Sequence, residues 1–116
     1  MIWPNGDRFQ GEWFEDKRTG RGTLFYVNGK KYQGDWFEEK QIGQGKVTWP
    51  NGDVYEGGIL NGLANGHGTF IYANREKYVG DWNLGKRDGI GILYNADGTI
   101  KQSGTWRDNS IVAGSN

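Results

Sequence analysis

Apolar and polar residues alternate along most of this chain, and turn-forming steps interrupt the alternation at fixed intervals. Phe9-Gly11-Trp13, Tyr32-Gly34-Trp36, Tyr55-Gly57-Ile59 and Tyr78-Gly80-Trp82 each place an aromatic, a glycine and a large apolar residue on alternate positions. Successive side chains of an extended strand point to opposite faces, so Tyr32, Gly34 and Trp36 share one face, and Gln33 and Asp35 the other. A second run repeats the pattern as Gly22-Leu24-Tyr26, Gly45-Val47-Trp49 and Gly68-Phe70-Tyr72. Each unit therefore predicts two strands with one aromatic face and one wet face.

The units recur with a period of 23 residues, at Asn5-Gly6, Asn28-Gly29, Asn51-Gly52, Asn74-Arg75 and Asp97-Gly98. Gly-x-Gly pairs keep the same period at Gly20 and Gly22, Gly43 and Gly45, Gly66 and Gly68, and Gly89 and Gly91. The last copy is degenerate, because Gly104 and Trp106 arrive one residue late and Gln102 stands where the aromatic belongs. The pattern predicts an all-β fold: an elongated, single-layer antiparallel β-meander, solenoid-like, of about nine or ten strands. Residues 1–116 are expected to form one array, with a partial first repeat and a degenerate last one. Asn-Gly between alternating runs suggests two-residue type I′ turns. The longer, charged connections, such as 37–42, are then expected to be looser loops. The tail 107–116 reads as an irregular stop.

Glycine inside Tyr-x-Gly-x-Trp costs about 0.5–1 kcal/mol relative to alanine. A bare position beside a ring leaves a slot in which a neighbouring aromatic can lie flat. A buried Tyr or Trp removes about 150–250 Å² from water, worth a few kcal/mol at about 25 cal/mol per Å². Packing of rings thus outweighs the glycine cost.

On these residues the chain resembles the MORN (membrane occupation and recognition nexus) repeat family. The resemblance is clearest in Tyr78-Val79-Gly80-Asp81-Trp82, Gly85-Lys86 and Gly89-Ile90-Gly91. It implies stacked hairpins and a non-catalytic role in scaffolding, dimerisation or holding partner segments, with some members linked to phosphoinositide-rich membranes. This sequence departs from the pattern at Ile59 for Trp, at Arg75 for a turn Gly, at Asn95 for Tyr or Trp, and in the extra residue between Gly98 and Gly104.

Composition narrows the functional choices. Aromatics make up 15% of the chain against 34% for all hydrophobic residues, so its core must be built mainly from rings. Fourteen basic and fourteen acidic residues cancel, which argues against nucleic acid as a partner. With no cysteine there is no thiolate metal site, and no cofactor is expected. No stretch approaches the roughly 18 apolar residues of a membrane span, and the expected location is intracellular, either cytoplasmic or associated with cytoskeleton or membrane.

No reaction class is supported. His67 stands alone between two glycines and reads as structural or exposed. Glu12, Asp35 and Asp81 recur at one strand position, which suggests a solvated ladder pairing across strands with lysine, not an acid/base dyad. Gly-x-Gly lacks the helix and acidic residue of a dinucleotide loop, and Gly85-Lys86 lacks the Ser or Thr of a phosphate loop. The candidate partner groove, for a peptide segment or a helix, comprises Trp13, Tyr32, Trp36, Trp49, Tyr55, Ile59, Tyr78 and Trp82. Homodimerisation through open strand edges is a second expectation. The alternative is a membrane adaptor that binds acidic phospholipids through Lys17, Arg18, Arg21, Lys86 and Arg87. Choline-type binding ranks lower, since those repeats lack this Tyr/Gly/Trp combination. Any slot left open by the rings is expected at the irregular third repeat, around Gly58 and Ile59.

Overall fold

The computed structural model describes residues 2–114. These form ten strands: β1 Arg8–Phe14, β2 Lys17–Phe25, β3 Lys31–Phe37, β4 Lys40–Thr48, β5 Val54–Leu60, β6 Leu63–Ile71, β7 Lys77–Asn83, β8 Lys86–Tyr94, β9 Ile100–Arg107 and β10 Ser110–Gly114. They pair in chain order in one sheet, and the paired neighbours are antiparallel. The expected irregular stop is thus partly a strand, and residues 115–116 lie outside the described residues. The array measures 49 × 24 × 19 Å. Its radius of gyration, 15.7 Å, exceeds the roughly 13 Å of a compact chain of this length.

One row of glycines crosses the whole sheet: Gly11, Gly22, Gly34, Gly45, Gly57, Gly68, Gly80, Gly91, Gly104 and Gly114, each paired with the next. Beside it runs the buried row Phe9, Leu24, Tyr32, Val47 and Tyr55, continued by half-buried Phe70 and buried Tyr78 and Leu93. A ring from each of β1, β3, β5 and β7 (Phe9, Tyr32, Tyr55 and Tyr78) lies over the glycine of the next strand. A Cβ on Gly45 would sit 2.5 Å from Tyr32 Cε1. The expected slot therefore exists, and glycine is required there because the ring occupies the side-chain space.

The turns reverse the expectation from sequence. The two-residue turns are Glu15-Asp16, Glu38-Glu39, Asn61-Gly62, Leu84-Gly85 and Asp108-Asn109, all with positive φ at both positions. The Asn-Gly steps instead lie in three-residue loops. In one, Gly29 donates to Tyr26 O at 3.0 Å, Tyr26 donates to Lys30 O at 2.8 Å, and only Gly29 has positive φ, 96°. That is a type I turn followed by a left-handed residue. Asn28 Oδ1 accepts from the Lys30 amide at 2.9 Å, which holds Asn28 on the right-handed side. From the second onward, each of the two-residue turns docks on the hairpin before it. Glu39 N donates to Arg18 O at 3.0 Å, Gly62 N to Gln41 O at 3.2 Å, Gly85 N to Ala64 O at 2.8 Å, and Asn109 N to Arg87 O at 3.0 Å.

The recurring carboxylates also differ from the expected lysine-paired ladder. Opposite Glu12, Asp35 and Asp81 the partner strand bulges, with three residues facing one. The bulge frees a backbone amide, and the carboxylate accepts from it: Arg21 N to Glu12 at 2.6 Å, Gln44 N to Asp35 at 3.0 Å, and Ile90 N to Asp81 at 3.1 Å. Asp81→Ala is expected to cost about 1 kcal/mol by removing that acceptor, measured as a lowered urea midpoint at unchanged m-value. The third repeat has Gly58 in this position.

Candidate functional site

The ring face is held by edge-to-face contacts between odd strands. Trp13, Phe9, Trp36 and Tyr32 form one run, with centroids 5.2–5.4 Å apart. Tyr55, Trp82, Tyr78 and Trp106 form a second run at similar spacing, 5.2–5.4 Å. Ile59 stands where the connecting indole would be, so the ladder is interrupted between Tyr32 and Tyr55. The indoles are also pinned by their N–H groups. Trp36 Nε1 donates to Gly22 O at 3.2 Å, Trp82 Nε1 to Gly68 O at 3.3 Å, and Trp106 Nε1 to Gly91 O at 3.0 Å. Ile59 has no donor for the register-equivalent carbonyl of Gly45.

Of the eight groove candidates, Tyr32, Trp36, Tyr55, Ile59, Tyr78 and Trp82 lie in the array's own core. The three tyrosines are 0%, 1% and 0% exposed. Their hydroxyls donate to the carbonyls of Asp35, Gly58 and Asp81 at 2.8, 2.8 and 3.0 Å. Burial pushes each phenol up to about 12, and for Tyr32 and Tyr78 the nearby Asp35 and Asp81 carboxylates add to the shift. Trp13, 42% exposed, and half-buried Trp49 face solvent. Sequence reasoning left Trp3, Tyr26 and Tyr72 out of the site, although they share the 23-residue spacing of Trp49. All four pack partly buried against the core, one per repeat, and form an outer strip on the ring face. Asn95 occupies the next place in this strip.

The five basic candidates do not converge on one patch. Arg18 pairs with both oxygens of Glu39 at 3.2 Å and stacks 4.5 Å from the Trp36 ring centre. The Glu39 carboxyl is held below its usual range, first by the Arg18 amide and then by the guanidinium. Arg21 pairs with Asp35 at 2.7 Å, and Arg87 lies 4.8 Å from the Trp106 ring and donates to Asn109 O. Lys17 and Lys86 are exposed.

An apolar cavity of about 180 Å³ opens at the ladder break, walled by Val47, Tyr55, Ile59, Leu63, Phe70 and Trp82, with Trp49, Ala64 and Lys30 also lining it. His67 lies on the other face, 3.8 Å from Asp81, with both side chains solvent-exposed. Among the described residues no cluster of three His, Cys, Asp or Glu is placed to hold a metal ion. No helix among them is long and apolar enough to cross a membrane.

A search of curated proteins returns no match. Among known families the MORN repeat matches four times, over residues 9–31, 32–54, 55–76 and 78–100, and each match covers one hairpin. MORN repeats are generally associated with protein or membrane binding, and proteins built from them are generally non-catalytic. With four consecutive repeats covering most of its length, this chain belongs to the MORN repeat family.

Proposed function

We propose that residues 1–116 act as one non-catalytic protein-interaction scaffold, holding a partner segment along the ring face. The observation that carries this reading is the outer strip of Trp3, Tyr26, Trp49 and Tyr72, which presents one large ring per repeat with a buried side and an open side. Rigid, half-desolvated aromatics are the residues that dominate protein–protein contacts, because they bring large area at low entropic cost. The buried rings beneath them fix the strip and are not themselves the contact surface.

Trp49→Ala combined with Tyr72→Ala is expected to weaken a partner recovered with the intact chain by tenfold or more, about 1.4 kcal/mol. Circular dichroism and the melting profile check that the double variant still folds. Undiminished binding by a folded double variant would remove the ring-face reading. Flotation with phosphoinositide vesicles separates the membrane alternative. Since Arg18, Arg21 and Arg87 are already engaged within the chain, vesicle binding is expected to be weak. Strong salt-sensitive capture would put the lipid reading first.

A further inference from the structure

The third repeat differs from its neighbours at two register-equivalent places that pair across the sheet and meet in space, Ile59 and Ala64. The position held by Trp13, Trp36 and Trp82 is Ile59. The position of Arg18, Gln41 and Arg87 is Ala64. Arg18 lies over the Trp36 ring at 4.5 Å and Arg87 over Trp106 at 4.8 Å. Ala64 has no side chain to do the same for Trp82, so that indole is left without a guanidinium lid. That indole, with the Phe70 ring 5.8 Å from it, and Ile59 wall the same cavity of about 180 Å³.

The cavity's shape and charge define what it takes. A dry apolar cavity of about 150 Å³ holds one benzene-sized group, so this one has room for a single leucine- or phenylalanine-sized side chain. An extended acyl chain exceeds it. At the mouth stands half-buried Lys30, its ammonium 5.0 Å from the Tyr26 ring and 5.8 Å from the Trp49 ring. None of the described carboxylates pairs with it. A cation resting on aromatic faces at the rim of an apolar hole complements an anion one or two residues from the inserted side chain.

Resting on the scaffold reading above, we propose that the third repeat is the anchor pocket of this array. Its occupant is a partner peptide that inserts one large apolar side chain between Ile59 and Trp82 and sets an Asp or Glu carboxylate on Lys30. The neighbouring half-exposed rings of Trp49 and Tyr72 carry the flanking backbone. The register-equivalent hollow one repeat earlier, between Leu24, Tyr26, Trp36 and Gln41, is walled by the Arg18–Glu39 ion pair, so it is polar where this one is apolar.

The test is selection of a displayed library of random dodecapeptides against the intact chain. The expected winners carry Leu, Phe, Met or Trp with an acidic residue within two positions. Their affinity should fall about tenfold or more in Ile59→Trp, which fills the hole, and in Ala64→Arg, which restores the lid. Lys30→Glu should shift the selected neighbour from acidic to basic. Ile59→Trp is expected to melt no lower than the parent, since three other repeats carry tryptophan there, so lost binding is not lost folding. Peptides that bind Ile59→Trp and Ala64→Arg as well as the parent overturn the pocket and leave the scaffold reading standing. Failure to enrich any peptide counts against both. Capture of laurate that Ile59→Trp abolishes, with no peptide bound, transfers the cavity to lipid and overturns the proposal.

Discussion

Gly68→Ala is expected to destabilise the array by about 3 kcal/mol or more, the upper end of overpacking penalties in a close-packed core. The added methyl would sit 2.5 Å from Tyr55 Cζ and 2.6 Å from Tyr55 Cε1. Tyr55 cannot retreat, because its hydroxyl is bonded to Gly58 O at 2.8 Å and its ring meets Trp82 edge-on at 5.4 Å. The clash is with a side chain, so a second substitution can relieve it. In a Tyr55→Leu background the same change at Gly68 is expected to cost about 1 kcal/mol or less, a coupling well above the scatter for independent sites. Gly80→Ala provides the contrast. Its methyl would meet backbone on the paired strand, 2.5 Å from Ile90 O, and no side-chain substitution can move that atom. Urea denaturation of the single and double variants measures all of these. Additive penalties at Gly68 and Tyr55 would show that the ring does not lie over that glycine.

Raising the pH from about 10 to about 12 should unfold the array through its tyrosines. Tyr32, Tyr55 and Tyr78 have an ordinary value of 10.0 in the unfolded chain and about 12 when buried. Between those values the unfolded chain has released protons that the folded chain still holds. The stabilisation is complete below 10.0 and is lost as the pH rises through about 12. Each phenol contributes a slope of about 1.4 kcal/mol per pH unit in that window. Three acting together exceed any single contact in the sheet. Denaturant midpoints at stepped alkaline pH give the slope, and Tyr78→Phe should reduce it by about a third. A flat profile to about pH 12 would mean that these phenols are solvated.

The strands, the single layer and the burial of rings over glycine were all legible in the sequence, because spacing alone sets which side chains share a face. The turns were not. Asn28-Gly29 and Glu38-Glu39 exchange their expected roles, since Glu39 is held left-handed by Arg18, a residue of the preceding repeat. Propensity counts only the local chain, and here the neighbour decides. Glu12, Asp35 and Asp81 were misread for a similar reason, as the amides they accept from become free only once the opposing strand bulges. The candidate site was half legible. Ile59 stood out as a departure, whereas Ala64 drew no notice, because an alanine in a strand is ordinary until the arginines at its equivalent places are seen lying on tryptophan. The most regular rings, Tyr32, Tyr55 and Tyr78, make the plainest pattern for a groove, and their regularity reflects their place in the core. The outward strip varies more, as Trp3, Tyr26, Trp49, Tyr72 and Asn95.

The interruption of the ring ladder at Ile59 has a mechanical side. Each strand of a stacked array leans only on the strands beside it, so cooperativity travels from repeat to repeat and is limited by the weakest coupling on the way. Between β3 and β5 that coupling keeps its backbone hydrogen bonds and lacks the ring-to-ring bridge found elsewhere. Mild heating is expected to part the sheet there first, read as faster amide exchange at the β4–β5 pairing than at the other pairings, so that this seam sets the grain along which the molecule gives way.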